Sequence, residues 1–252
     1  MNLFNLSGKK AIVTGSANEN GLCFAMASGL VEAGATVVLM DIADKVFDTA
    51  KNAGGEKTGF YAVKADFLDN SEIERGFNDA MEILGGIDIL INGAGTLYRQ
   101  PAVDYPIDKW NEVLQVDLSS VFVMSQLAGR EMIKNGSGKI INIASMNSFR
   151  GGITVLAYTS AKGGVMQLTK ALSNEWMPLG VNVIAIAPGF METEMSVNLR
   201  QLDKTKEIPK RIPAGRWGLP SDVKGAAIFL ASSASDYISG AIIPVDGGFL
   251  PN

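Results

Sequence analysis

Tyr158 and Lys162 stand four residues apart in "AYTSAKGGV" (157–165), with only small residues between them. On a helix, positions i and i+4 share one face. A phenol and an ammonium then look into the same space, and such a pair can exchange a proton with an alcohol or a ketone. The same spacing also describes a surface pair in which a lysine stem covers an aromatic ring. Taken alone, the pattern favours that plainer arrangement, so the remaining residues must decide.

Composition removes several alternatives. The 252 residues contain no histidine, which excludes Ser-His-Asp hydrolysis and the commonest metal ligand; no metal is expected. Cys23 is the only cysteine, so an internal disulfide is impossible, as suits a reducing compartment. A net charge of −4 gives no basic footprint for nucleic acid. "MNLFNLSGKK" lacks the apolar core of a secretory signal. No apolar run approaches the roughly 20 residues of a membrane span. A cytoplasmic protein is expected.

Strand-like and helix-like stretches alternate. The strands are "KAIVTG" (10–15), "TVVLMD" (36–41), "FYAVKAD" (60–66), "IDILINGAG" (87–95), "GKIINIAS" (138–145), "VNVIAIAPG" (181–189) and "GAIIPVDGG" (240–248). Helices are expected over 21–35, 69–84, 110–136 as one long helix, around Tyr158, and over 221–233. Continuous apolar strands between helices predict a parallel α/β sheet covered on both faces, without a domain break. The segment 190–215 has two prolines, many Met, Lys and Arg residues and no clear period. It reads as a lid, in which Lys204, Lys206, Lys210 and Arg211 form a solvated face.

Ligands of open parallel sheets bind beyond the carboxyl ends of the strands. "TGSANENG" (14–21) lies there, with Gly15 for a tight turn and Gly21 opening a helix whose N-terminus attracts phosphate. An ordinary glycine-rich turn would look the same. Asp41 ends the second strand, 26 residues after Gly15, where an acid can bind a ribose 2′-hydroxyl and repel a 2′-phosphate; it can equally cap a helix. No Arg or Lys lies within 11–44. NAD is therefore expected over NADP.

"TGSANENG", Asp66 after the third strand, "NGAG" (92–95), Ser145 thirteen residues before Tyr158, "YTSAK" and "PGFMET" (188–193) occur in order at the ends of alternating strands. On these residues the whole chain resembles a short-chain dehydrogenase/reductase. The resemblance implies one Rossmann-type, doubly wound domain with a seven-stranded parallel sheet. It implies an NAD-dependent oxidoreductase with Ser145, Tyr158, Lys162 and the Asp117 position as its catalytic set. The expected cofactor residues are Gly15, Asn18, Gly21, Leu22, Asp41, Asp66, Phe67, Asn92, Ala94, Gly95, Tyr158, Lys162, Pro188, Gly189 and Thr193. Lys162 is expected to lower the phenol pKa of Tyr158, and Ser145 to hold the substrate oxygen. Family members are commonly tetramers, so a homotetramer built on helices 107–134 and 154–178 is expected.

Three departures stand out. The glycine-rich loop is two residues longer than usual, as in enoyl reductases of the superfamily, and Cys23 takes the last glycine place. Enoyl reductases space their tyrosine and lysine more widely than "YTSAK". Cys23 reads as a small packed residue rather than a reactive thiol. Asp117 stands in "QVDLSS" where the family has asparagine, and "NGAG" replaces "NNAG".

"GKIINIASMNSF", "NEW", "IPAGRWGLPSD" and "FLASSASDYISG" resemble the branch of the family acting on keto-deoxy sugar acids of pectin and alginate catabolism. The expected reaction is oxidation of 2-keto-3-deoxygluconate at C5. Arg99 and Arg150 are expected to meet its carboxylate, with Asn147, Ser145 and Tyr158 in the substrate site. Met146 and Met191 also suit the pocket. The alternatives are another carbonyl reductase, such as a 3-oxoacyl carrier-protein reductase, and a non-catalytic dinucleotide-binding protein.

Overall fold

The computed structural model describes residues 3–201 and 207–251. Lys204 and Lys206 lie outside the described residues. Seven strands form one sheet: β1 (Lys10–Thr14), β2 (Thr36–Asp41), β3 (Phe60–Lys64), β4 (Ile89–Asn92), β5 (Gly138–Ile143), β6 (Val181–Pro188) and β7 (Ile242–Val245). Their order is β3-β2-β1-β4-β5-β6-β7, and every pairing is parallel. This is the doubly wound Rossmann-type fold that the resemblance implies, and its parallel sheet is the one the alternation predicts.

Successive residues of a strand point to opposite faces, and here both faces are covered. Val13, Ile89, Ile91, Ile141 and Ile184 pack on one side with α1 (Leu22–Glu32), α2 (Lys45–Asn52) and α9 (Lys224–Ala231). Ile12, Leu90, Ile140 and Val183 pack on the other with α3 (Asn70–Leu84), α5 (Ser120–Asn135) and α6 (Leu156–Trp176). Two buried faces explain why β1, β4, β5 and β6 read as mostly apolar runs rather than alternating ones.

The structure departs from expectation in three elements. Helix α2 was not foreseen; its sequence, KVFDTAKN, carries only three buried residues. The stretch expected as one helix over 110–136 is broken. Helix α4 (Ile107–Leu114) passes into a π-helical turn at Gln115–Ser119 before α5 begins, and Asp117 sits within that turn. The segment expected as an irregular lid contains α7 (Val197–Arg200) and α8 (Ile208–Arg211). Its base is closed where Met191 pairs with Gly218, and Gly218 N–H donates to the Phe190 carbonyl at 2.8 Å.

The chain builds outward from β1 to β3, then returns to β4 on the other side of β1. The loops leaving β1 and β4 therefore diverge at the carboxyl edge, where a ligand crevice forms. The two strand ends are clasped together. Thr14 Oγ1 accepts from the N–H groups of Gly93 (2.9 Å) and Ala94 (3.1 Å). Gly15 has φ +73°, and a Cβ there would lie 2.7 Å from Ala94 Cα. Both its left-handed backbone and its closeness to Ala94 demand glycine. Gly15→Ala should destabilise the protein by more than about 1 kcal/mol, measured as a lower urea midpoint at an unchanged slope.

Candidate active site

The carboxyl ends of β4, β5 and β6, with residues 190–199 and 208–217, enclose a cavity of about 520 Å³. Of the expected residues, Leu22, Arg99, Ser145, Asn147, Arg150, Tyr158, Pro188, Gly189 and Thr193 line it, as do Met146 and Met191. Gly15, Asn18, Gly21, Asp41, Asp66 and Gly95 lie instead along the ends of β1 to β4, beside the cavity.

Ser145 follows β5 in extended backbone and starts a short 3₁₀ turn, Met146–Ser148. Its Oγ accepts from Asn147 N–H at 3.1 Å, and its own N–H donates to Ser148 Oγ at 3.2 Å. Ser148 Oγ in turn donates to the Lys162 carbonyl at 2.7 Å, which fixes the serine turn to α6. Tyr158 lies in the first turn of α6 with its phenol in hydrogen-bonding reach of Ser145. Lys162 is one turn on, its Nζ 5.5 Å from the centre of the Tyr158 ring. The two side chains thus share one helix face, and both look inward rather than across the surface.

Lys162 is buried, and its ammonium is held from two sides. Nζ donates to the Ile143 carbonyl at 3.0 Å and lies 3.2 Å from Asp117 Oδ1. Asp117 is fully buried, and its Oδ2 accepts from Thr96 N–H at 2.8 Å. Oδ1 pairs with the lysine charge without a hydrogen bond aligned to it. Burial pushes the Asp117 carboxyl upward against the pull of Lys162. Burial alone would lower Lys162, but the charge of Asp117 and the phenol of Tyr158 outweigh it and raise the ammonium.

Lys162 pulls the Tyr158 pKa down, as expected, but its pull does not set the net direction in the free protein. The phenol is raised above its ordinary value because burial dominates and Asp117 adds to it. Lys162, the Ser145 hydrogen bond and Arg99 pull the other way without prevailing.

Asp41 ends β2, and both of its oxygens accept backbone N–H groups: Ala17 at 2.9 Å and Ala43 at 3.1 Å. It does not cap α2, whose N-cap is Asp44. Each carboxylate oxygen keeps a second lone pair, so a ribose hydroxyl can still donate to it. Helix α1 is preceded by Gly21 as its N-cap, with no side-chain cap and no acid in its first turn. That N-terminus and the close Gly15 turn fit the phosphates of a dinucleotide. Asn18 Oδ1 accepts from Asn20 N–H, and its amide donates to Glu194, linking the loop to the stretch that follows β6. Asp66 Oδ1 accepts from Leu68 N–H at 2.8 Å.

Two expected cofactor residues turn their side chains inward. Phe67 packs in the core with Val63 and Ile73. Asn92 donates to Ser125 Oγ and Asn142 Oδ1, each at 2.9 Å, and Asn142 continues to Thr169 at 3.0 Å. This network joins β4, β5, α5 and α6 beneath the site, and buried amides need such partners.

The cavity also contains a residue that sequence reasoning placed on the surface. Arg211, from α8, lines it together with Leu97, Leu199, Ile208 and Trp217. Arg150 and Arg211 lie over the Phe249 ring at 5.1 and 5.7 Å, so this ring near the chain end orients two arginines at one wall. Arg99 is placed by Gln100, whose N–H donates to the Thr154 carbonyl at 2.9 Å.

Cys23 is buried, and burial pushes its thiol up to about 12, so it is not a reactive thiolate. Sγ donates to the Gly93 carbonyl at 3.4 Å, and a Cβ at position 93 would fall 2.3 Å from it. The departures at 23 and 93 therefore compensate each other: the sulfur fills the space that a side chain at 93 would need. Gly93→Asn should destabilise by about 1–3 kcal/mol through overpacking. Cys23→Gly combined with Gly93→Asn should recover most of that loss, a non-additivity read directly from a double-mutant cycle in denaturant.

Comparison with known proteins agrees with this geometry. A family model described as enoyl-(acyl carrier protein) reductase matches residues 15–250. The chain is similar to the 2-dehydro-3-deoxy-D-gluconate 5-dehydrogenase of Dickeya dadantii, 46% identical over 99% of this chain and 98% of that one. Among solved structures it is similar to a candidate 2-deoxy-D-gluconate 3-dehydrogenase of Agrobacterium tumefaciens with bound NADP. That protein is 45% identical over the whole of both chains, with a TM-score of 0.90. It is also similar to the gluconate 5-dehydrogenase of Burkholderia cenocepacia in complex with NADP and tartrate. Here the identity is 36% over 99% of this chain and 98% of that one, with a TM-score of 0.94. With a seven-stranded doubly wound sheet, a serine, a tyrosine and a lysine converging at its carboxyl edge, and full-length relatives of this kind, the chain belongs to the short-chain dehydrogenase/reductase family, whose members bind a nicotinamide dinucleotide.

Proposed function

We propose that this chain is an NAD-dependent dehydrogenase of sugar acids, with oxidation of 2-dehydro-3-deoxy-D-gluconate at C5 as the reaction best supported. The carrying observation is the charge of the cavity. Arg99, Arg150 and Arg211 line it, and no Asp or Glu does among the described residues. Arginine suits a carboxylate because its planar fork meets two oxygens at once. Tyr158 and Ser145 open on the same space, so an acid held at the arginine wall presents its carbinol to them. The name of the Dickeya relative, and the tartrate held by the Burkholderia protein, agree with a hydroxy-acid substrate.

The roles follow from position. Ser145 Oγ donates to the substrate oxygen. The Tyr158 hydroxyl gives that oxygen a proton in reduction and takes one from it in oxidation. Lys162 keeps a positive charge beside the phenol. A bound nicotinamide supplies or accepts the hydride. Gly15, Asn18, Gly21, Asp41 and Asp66 would hold the dinucleotide, and residues 190–215 act as the substrate lid of a single domain.

A hydrogen bond to a charged group is worth roughly 1.5–3 kcal/mol. Removing the arginine that meets the carboxylate should therefore lower kcat/KM for the acid about 10–150-fold. The change should be small for a neutral ketone analogue. Arg99→Ala, Arg150→Ala and Arg211→Ala, each assayed on both substrates, test this. Equal losses on the two substrates for all three variants, or a wild type inert to the sugar acid with either cofactor, would refute the substrate reading.

NAD is the proposed cofactor because the Asp41 carboxylate is fixed by two backbone amides where a 2′-phosphate would lie, with no Lys or Arg within 11–44 to receive one. NADP in the two similar structures makes the comparison worth measuring. Asp41→Asn keeps an acceptor and removes the charge, so kcat/KM with NADP should rise about tenfold, equivalent to roughly 1.4 kcal/mol. A wild type that prefers NADP would remove the role assigned to Asp41.

A further inference from the structure

Asp117 is the only carboxylate among the described residues with a fully buried side chain, and it stands where the family pattern has a neutral amide. Its placement is specific. The π-helical turn Gln115–Ser119 carries it inward, Thr96 N–H holds Oδ2, and Oδ1 is left facing Lys162 Nζ at 3.2 Å. A Cβ at position 95 would lie 2.9 Å from Oδ1, so Gly95 leaves room for the pair. An asparagine here could accept from Thr96, but it could not neutralise an ammonium.

We propose that Asp117 is a positioning residue that binds the Lys162 charge and screens it from Tyr158, so that the charge at position 117 governs how readily the phenol gives up its proton. This rests on reading Tyr158 as the proton-transfer group. The charges facing the phenol are Lys162 from its own helix, Arg99 from the loop after β4 and Asp117 from the π turn, with the Ser145 hydroxyl from the end of β5. Those facing Lys162 are Asp117 and Tyr158, with the Cys23 thiol from α1. Within this set Asp117 is the only carboxylate. A carboxylate and an ammonium a few ångströms apart act on a third group as a dipole, which is far weaker than the ammonium alone. The phenol is correspondingly raised, with burial as the first cause.

The consequence is a pH dependence with a definite sign. Oxidation needs the phenolate, so kcat/KM for oxidation should climb with pH toward the free-enzyme ionisation of Tyr158. Asp117→Asn removes the partner and leaves the ammonium acting on the phenol. The alkaline limb should then move to lower pH by about one unit, the low end of what a neighbouring charge does.

The test is a spectroscopic titration of phenolate in the ligand-free enzyme, each protein being read against its Tyr158→Phe counterpart, beside the pH profile of kcat/KM. The expected result is wild-type Tyr158 ionising above the ordinary tyrosine value of about 10, with Asp117→Asn shifted down in both measurements. An unmoved or upward-shifted ionisation in Asp117→Asn would overturn the proposal, because loss of a merely structural contact would weaken the fold without lowering that pKa. If Asp117→Asn does not fold, Asp117→Ser takes its place: a Tyr158 ionisation shifted down relative to wild type upholds the screening, and an unmoved or upward-shifted one overturns it. Phenolate titration needs neither substrate nor cofactor, so failure of the sugar-acid assignment leaves this result readable.

Discussion

An ammonium has to remain charged inside the protein, and much of the site is arranged around that requirement. Taking an ion out of water costs several kcal/mol unless partners replace the lost hydration. Lys162 has two such partners, the carbonyl of Ile143 at the end of β5 and the carboxylate of Asp117. Each makes a demand on the fold. The β5 carbonyl is free only where the ladder ends, which places α6 across that edge. The carboxylate is reached where the α4–α5 stretch widens into a π turn at Gln115–Ser119. Glycine at 95 and the Ser148 bond to the Lys162 backbone complete the enclosure. Tyr158 and Ser145 then lie where they do because they share the same helix face and the same strand end.

The sheet was legible because its signal is dense. Strands buried on two faces are mostly apolar, and seven strand-like runs separated by helix-length stretches leave little freedom of topology. The meeting of Gly15 with Ala94 was legible in part, since a glycine after a strand marks a tight turn. Ser145, Tyr158 and Lys162 were legible as a resemblance in spacing, and the structure brings them together. Helix α2 was missed because it buries only Val46, Thr49 and Ala50, too short a stripe to stand out.

What could not be read has a common cause: it depends on which side chain meets which across the fold. The π turn inserts one residue's worth of twist into an otherwise regular helical pattern, and no local residue announces it. Lys162 beside Tyr158 suggested a lowered phenol pKa, yet the sign depends on burial and on a carboxylate 41 residues away in sequence. Asn92 and Phe67 belong to motifs that border cofactors, and only the three-dimensional packing turns their side chains inward. Cys23 and Gly93 looked like two unrelated oddities. They are one packing solution, visible only once the sulfur is seen to fill the space above the glycine.

The arginines show the same principle at larger scale. The chain carries a net charge of −4, which on its own suggests nothing that attracts an acid. Net charge governs the far field, but binding depends on the charges that a low-dielectric wall surrounds. Arg99 is tethered through Gln100 to the Thr154 carbonyl, while Arg150 and Arg211 share the Phe249 ring. Phe249 itself packs edge-on against Phe190, which packs edge-on against Trp217. The aromatic chain thus connects the chain end, the start of the 190–217 segment and its return. An aromatic ring can hold a guanidinium without neutralising it, whereas a carboxylate partner would cancel the charge the site needs. Surface acids such as Asp222, which pairs with Arg216 at 2.6 Å, lie outside the cavity. Among the described residues the cavity lining thus carries three arginines and no carboxylate although the chain as a whole is acidic, and two of those arginines lie over the Phe249 ring.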